Sequence, residues 1–210
     1  MRINLSKYAL VSTIFVILFS ACSSKEVYEP IKLSSDWEAY EKSKHTIIDT
    51  ASNVALLEDR TVLTYTGLVN VKISENDRLI SQSSGWIICA SVDGNLSLIS
   101  ENDESIVKHF HLNKSIAGAS VSGNDLAIIF ADNEIALYDI ETKNILFKEN
   151  GTKFVATDSR IVNPFFMRGL VLFPTLDGKI IFVNNAKKKR LRTVIVSSED
   201  NFNNVIAFEL

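Results

Sequence analysis

Residues 126–147 read LAIIFADNEIALYDIETKNILF. An apolar run, Leu126-Ala127-Ile128-Ile129, leads into Asp132-Asn133, and a second run, Ile135-Ala136-Leu137-Tyr138, leads away. A short polar pair between two β-prone runs is a hairpin signal. The same event occurs elsewhere in the chain. Ile87-Ile88-Cys89-Ala90 leads to Asp93-Gly94 and then Leu96-Ser97-Leu98-Ile99. Leu170-Val171-Leu172-Phe173 leads to Asp177-Gly178 and then Ile180-Ile181-Phe182-Val183. A fainter copy runs from Val54-Ala55-Leu56-Leu57 through Glu58-Asp59-Arg60 to Val62-Leu63-Thr64-Tyr65. The four aspartates are spaced by 34, 39 and 45 residues.

A hairpin repeated every ~40 residues is the signature of four-stranded propeller blades. The expected class is therefore all-β, a β-propeller with about four repeats. Asp-Gly pairs are expected to form two-residue turns in which both central residues take positive φ. The apolar runs lack strict alternation, as strands covered on both faces do. Seven residues after each turn stands a short polar residue: Thr66, Ser100, Asp139 and Asn184. A β-sandwich is the alternative, but it does not predict that recurring offset.

The third copy continues as Asp139-Ile140-Glu141-Thr142-Lys143-Asn144-Ile145-Leu146-Phe147. This resembles the quinoprotein-type propeller repeat: apolar strand, Asp, two residues, Thr-Gly, three residues, Trp. Asp139 and Thr142 match, Lys143 stands for the Gly, and Phe147 stands for the Trp. The resemblance implies that Asp139 and Thr142 cap the turn into the outer strand. It also implies that Phe147 wedges between neighbouring blades, without the indole N–H. Lys108 and Arg192 occupy the aromatic position in the second and fourth copies.

Residues 1–22 read as an address. Arg2 and Lys7 precede an apolar stretch, Tyr8 to Phe19, that is shorter than the ~20 residues a spanning helix needs. Phe19-Ser20-Ala21-Cys22 resembles the bacterial lipobox, with Phe19 where that motif has an aliphatic residue. The resemblance implies lipidation at Cys22. Residues 23–44 read as a tether, with a short helix expected over Ser34 to Lys44, and residues 45–210 as propeller repeats. Ser23-Ser24 resembles the sorting signal of outer-membrane lipoproteins, with inner-membrane retention as the alternative. With Cys22 lipidated, Cys89 is the remaining cysteine, expected to be a small buried hydrophobe.

Losing residues 1–22 removes Arg2 and Lys7 and no acid, moving the net charge from −3 to −5. A mildly acidic surface argues against nucleic acid as a partner. Val205-Ile206-Ala207-Phe208 reads as the first strand of a fifth copy whose turn would fall just past Leu210. The chain is therefore expected to be the N-terminal part of a longer ring. A chain complete at Leu210 is expected to oligomerise, or to close a four-blade ring with His45 to Thr50 as the closing strand.

Chemistry-bearing residues are sparse. His109 and His111 share one face of a strand, but no Cys, Asp or Glu is placed to complete a metal shell. Asp93-Gly94-Asn95-Leu96-Ser97 resembles an acidic-flanked bacterial glycosylation sequon, set against ordinary turn chemistry. Trp86 opens a strand, as a core aromatic or a rim contact. The calcium-binding acids and adjacent cysteines of quinoprotein dehydrogenases are missing, and no nucleophile–base set appears. No catalytic residue, metal or cofactor is expected. Lys187-Lys188-Lys189-Arg190 is the most concentrated charge and a candidate interaction patch.

A lipid-anchored propeller of this repeat type resembles the BamB family of outer-membrane barrel-assembly lipoproteins. The resemblance implies a scaffold facing the periplasm, with other envelope proteins and the barrel-assembly complex as partners. The alternatives are an envelope adhesin or sensor, and a quinoprotein-type enzyme fragment.

Overall fold

A computed structural model describes residues 45–152, 161–198 and 205. Among them are sixteen strands in four antiparallel four-stranded sheets, each a meander of consecutive strands. The first sheet holds β1 (Ile47–Ala51), β2 (Val54–Leu57), β3 (Thr61–Thr64) and β4 (Gly67–Lys72). The second holds β5 (Asp77–Ser83), β6 (Trp86–Ser91), β7 (Asn95–Ser100) and β8 (Val107–His111). The third holds β9 (Ile116–Ser122), β10 (Asp125–Phe130), β11 (Glu134–Asp139) and β12 (Ile145–Asn150). The fourth holds β13 (Phe165–Met167), β14 (Leu170–Pro174), β15 (Lys179–Asn184) and β16 (Lys189–Ile195). This is the blade architecture of a β-propeller. The alternative, a sandwich of meandering strands, fails because the described strands form four separate sheets where a sandwich has two.

The continuous apolar runs are explained by what lies on each side. Successive residues of a strand point to opposite faces, and both faces of the middle blades are covered. Ile87 and Cys89 pack with Val54, Leu56 and Val62 of the first blade. Their neighbours Ile88 and Ala90 pack with Leu126, Ile128 and Phe130 of the third. In that third blade Ala127 and Ile129 turn the other way, onto Val171 and Phe173 of the fourth. Three apolar cores thus join four blades in chain order. A fully buried Ile, Leu or Phe contributes about 1.5–3 kcal/mol, and an exposed ion pair about 0–1 kcal/mol. The cores, not the charges, hold the stack.

Around their first strands the blades are tied by polar side chains instead of a ladder, and one tie joins the first blade to the segment leading into the fourth. The Gln82 amide donates to Asn53 Oδ1 at 3.1 Å, and Asn53 Nδ2 donates to the Gln82 carbonyl at 2.7 Å. Ser81 Oγ donates to the Ala119 carbonyl at 2.6 Å. Asn163 accepts from the Ala119 amide at 3.1 Å and donates to Ser52 Oγ at 3.1 Å. Residues 47–51, within the stretch considered as a ring-closing strand, instead form the first strand of the first sheet, paired with β2.

Asp59, Asp93, Asp132 and Asp177 all fall in the hairpin between the second and third strands of their sheets. The turns are not the expected two-residue type. In the first three blades three residues separate the strands, and the left-handed residue is the one after the aspartate: Arg60 (φ 69°), Gly94 (φ 86°) and Asn133 (φ 67°). The fourth blade repeats this with Gly178 (φ 74°) in a loop of four. One left-handed residue ending a short loop matches the twist of the flanking strands as well as a two-residue turn does. Gly94 has a second constraint: a Cβ there would sit 2.4 Å from the Lys114 backbone.

Candidate protein-interaction surface

The third blade shows how the turn into an outer strand is built. Asp139 Oδ1 accepts from the Thr142 amide at 2.7 Å, the Thr142 hydroxyl at 2.9 Å and the Glu141 amide at 3.0 Å. Asn124 Nδ2 donates to the other oxygen at 2.6 Å. The Thr142 amide, ahead of the other donors, holds the Asp139 carboxyl below the usual range. Lys143 takes φ 59°, which explains why the related repeat has glycine at this place. Phe147 lies at the interface with the fourth blade, its ring 6.4 Å from that of Phe173.

The basic run of the fourth blade is the same turn with different residues. Asn184 Oδ1 accepts from the Lys187 amide at 2.7 Å, as Asp139 does from Thr142. Lys188 takes φ 51° at the position of Lys143. Its ammonium reaches Asp125 of the third blade at 2.7 Å and Asn185 Oδ1 at 3.1 Å. Arg190 pairs with Glu149, also of the third blade, at 2.7 Å. Lys188 and Arg190 therefore act partly as struts between blades. Lys187 and Lys189 are exposed and make no ion pair among the described residues.

The patch continues along β16, which among the described residues pairs with β15 alone and is exposed at all seven positions. Leu191 is 58% exposed and Ile195 65% exposed, with Val194 and Val196 also open. Arg192 lies over the Phe182 ring at 4.5 Å. From Lys179 to Ser198 there are six cationic residues and no acid, so this edge is strongly positive on a chain of net negative charge. The basic run was visible in the sequence. The exposure of the apolar residues between and after the cations was not, because it depends on whether a strand lies at the edge or the centre of its sheet, which local residue preference does not fix.

The other candidates separate by environment. Asp177 is deeply set. Thr175 donates to its Oδ1 at 2.6 Å and Asn133 Nδ2 at 3.1 Å, and Lys179 pairs with Oδ2. Burial works to raise the Asp177 pKa, but these donors prevail and hold it at about 2. Asn133 is fully buried and also accepts from the Leu176 amide at 2.9 Å, locking the third hairpin to the fourth. Asp132 pairs with Lys114 at 2.7 Å, and Lys114 reaches Glu134 at 2.9 Å. Asp59 caps its own turn through Thr61, whose hydroxyl donates at 2.6 Å. Asp93 makes no side-chain bond among the described residues.

His109 and His111 share a face of β8 as expected from their spacing, but each is occupied within its own sheet. His109 Nδ1 lies 3.0 Å from Ser97 Oγ, and His111 Nδ1 contacts Asn95 Oδ1. No group of three or more metal-ligating side chains forms among the described residues. Asn95 is exposed at the start of β7. Trp86 packs against the core between the second and third blades, with Lys108 over its ring at 5.6 Å. Cys89 is buried, and burial pushes its thiol up to about 12. An open groove of about 810 Å³ runs between β8 and β12, lined by Phe110, Tyr138, Lys143 and Lys148 among others. Cys22, the expected helix over 34–44 and Ile206–Leu210 lie outside the described residues.

No protein-family model matches the chain. It is 27% identical to the plasminogen-binding protein PgbB of Helicobacter pylori strain 26695, over 96% of this chain and 45% of that protein. The PgbB of strain J99 is equally similar, at 27% over 96% of this chain and 46% of the relative. The chain thus spans about half the length of the relatives it matches. Among solved structures it is similar to BamB from Moraxella catarrhalis, with a TM-score of 0.54 and 15% identity over 71% of this chain and 49% of the other. Sqt1 of Saccharomyces cerevisiae gives 0.53 at 20% identity, over 74% and 46%. At such identities these structures speak to the fold alone.

Proposed function

We propose that this chain is an envelope lipoprotein that works by binding another protein, anchored through Cys22, and that it performs no catalysis. The similarity to plasminogen-binding proteins over 96% of the chain carries the reading. The described surface fits it. Its most concentrated charge lies beside exposed apolar side chains on the fourth blade, a mixture suited to a protein partner. Plasminogen is the first partner to test, and this reading requires the propeller to stand where host protein can reach it.

A second reading is a scaffold in outer-membrane barrel assembly, facing the periplasm. The fold it shares with BamB and the lipobox-like Phe19–Cys22 support that alternative. One experiment separates the two. The intact chain is extracted from membranes in detergent, immobilised, and exposed to plasminogen and, separately, to solubilised envelope. Saturable plasminogen binding, with protease-accessible protein on intact cells, is the expected result. Recovery of the barrel-assembly complex without plasminogen binding establishes the second reading. Binding of neither overturns both. A Cys22→Ala chain that still partitions with membranes overturns the anchor.

A further inference from the structure

The groove between β8 and β12 encloses about 810 Å³, within the range of binding sites. It lies between the second and third blades, each of which also packs on a further described blade. Phe110 and Tyr138 meet edge to face in it, ring centres 6.2 Å apart. Ile145, opposite Tyr138 in the ladder, is 53% exposed beside them. The lining has two lysines, Lys143 and Lys148, and no acid. His109 and His111 alternate with Phe110, so their rings turn to the other face of β8, toward Ser97 and Asn95.

The polar groups of this lining are left with bonds to make. A buried phenol usually finds a hydrogen-bond partner. Tyr138 is 8% exposed, and its hydroxyl has none among the described residues. Burial, and then the Glu134 carboxylate, raises its pKa, so the hydroxyl stays a protonated donor. Lys143 holds a left-handed backbone, which is costly for any residue with a side chain. At the same place in the fourth blade, Lys188 is bonded to Asp125 and Asn185. Lys143 meets no carboxylate among the described residues; its ammonium lies 6.0 Å from the centre of the Phe110 ring. Strain that no bond offsets points to use. Lys148 is held by Glu134 at 3.0 Å, but Glu134 also serves Lys114 at 2.9 Å and does not line the groove. The cleft between β12 and β16 is built differently. It is about 250 Å³, and its cations are met within the chain, Arg190 by Glu149 and Lys179 by Asp177.

We infer that the groove between the second and third blades seats an acidic side chain of a protein partner, with an apolar residue of the same segment beside it. The carboxylate would accept from the Tyr138 hydroxyl and pair with Lys143, with Lys148 adding to the positive field. The apolar neighbour would cover Ile145 and the edge of Phe110. The groove is open along its length, so a peptide can enter and leave it, whereas a small carboxylate would be poorly enclosed. The inference rests on the proposed protein-binding role and adds the chemistry that the partner presents.

The test titrates the full chain in detergent with a capped peptide bearing a neutral fluorophore, one glutamate flanked by leucines and serines, followed by anisotropy. The same peptide with glutamine for glutamate is the comparison. The glutamate peptide is expected to bind about tenfold tighter, from one hydrogen bond to a charged group and one exposed pair. Y138F keeps the ring on Phe110 and removes the donor. K143Q keeps the stem and removes the charge. Each should cost the glutamate peptide several-fold and leave the glutamine peptide as it was, with the melting temperature unchanged. Equal binding of the two peptides, or wild-type affinity in both variants, overturns the inference. So does displacement of the peptide by an equal concentration of butyrate, which makes the groove a small-carboxylate site. Weaker plasminogen binding by the Y138F/K143Q chain supports the groove. If plasminogen or the assembly complex binds that chain undiminished, the groove is refuted and the protein-binding role stands. The expected peptide pattern in a chain that captures neither protein overturns those partners and leaves the groove in place.

Discussion

Replacing Asp177 by Asn keeps the side chain's size and removes its charge. The wild-type carboxylate accepts from Thr175 and Asn133 and pairs with Lys179, with 12% of its side chain exposed. Its pKa falls from 3.8 to about 2 on folding. The difference is worth about 2 kcal/mol at neutral pH. A lowered pKa means that the unfolded chain binds more protons at low pH. The stabilisation is therefore fully present above about pH 4 and is lost as pH falls through about 2. Urea unfolding of D177N, followed by far-UV circular dichroism, should show a deficit of about 2 kcal/mol at pH 7. That corresponds to a melting temperature roughly 4–8 °C lower. The deficit should close as pH approaches 2. D93N is the control, expected within about 0.5 kcal/mol of wild type, because its carboxylate has no partner to lose. Equal stability of D177N and wild type at pH 7, or a deficit that persists unchanged at pH 2, would refute the reasoning.

Lys143→Gly should stabilise the chain by a few tenths of a kcal/mol at most, on the order of the difference between the ~1–2 kcal/mol cost of a left-handed non-glycine residue and the sum of glycine's added unfolded freedom and the lost contact of the Lys143 ammonium with the Phe110 ring at 6.0 Å. Lys188→Gly should show no gain at the same left-handed position, since it severs the bonds to Asp125 and Asn185; thermal melts of the two variants decide, and a gain of similar size in both sinks the argument. Cys89 in a Cys22→Ala chain should not react with an aromatic disulfide reagent at pH 8 until denaturant is added. Prompt labelling of the native chain would contradict both its burial and a thiol near 12.

The four hairpins were legible because they are local: an aspartate, a left-handed residue and two apolar runs specify them without help from elsewhere. The seven-residue offset was legible for the same reason, and the caps at Asp139 and Asn184 realise it. The ranking among the aspartates was not legible. Asp177 is distinguished from Asp93 by Asn133, which arrives from the preceding blade, 44 residues away in sequence. The loop length was misjudged because a Gly after Asp serves two-residue and three-residue hairpins alike. The interaction surface was half legible. Lys187 to Arg190 announced themselves as charge, but Lys188 and Arg190 are partly structural. The exposure of Leu191 and Ile195 depends on β16 being last in its sheet, which local sequence does not encode.

The three apolar cores give the stack the logic of a row of coins. Each interface joins adjacent blades, so the second and third blades are each held from two sides. Among the described residues, the first and fourth are each held by one such core. Cooperativity is handed from blade to blade through Ile87/Ile88 and Ala127/Ile128. A lesion in the third blade weakens two of the three described junctions at once. Of the three described cores the fourth blade shares one, and it is this blade that carries the cationic edge.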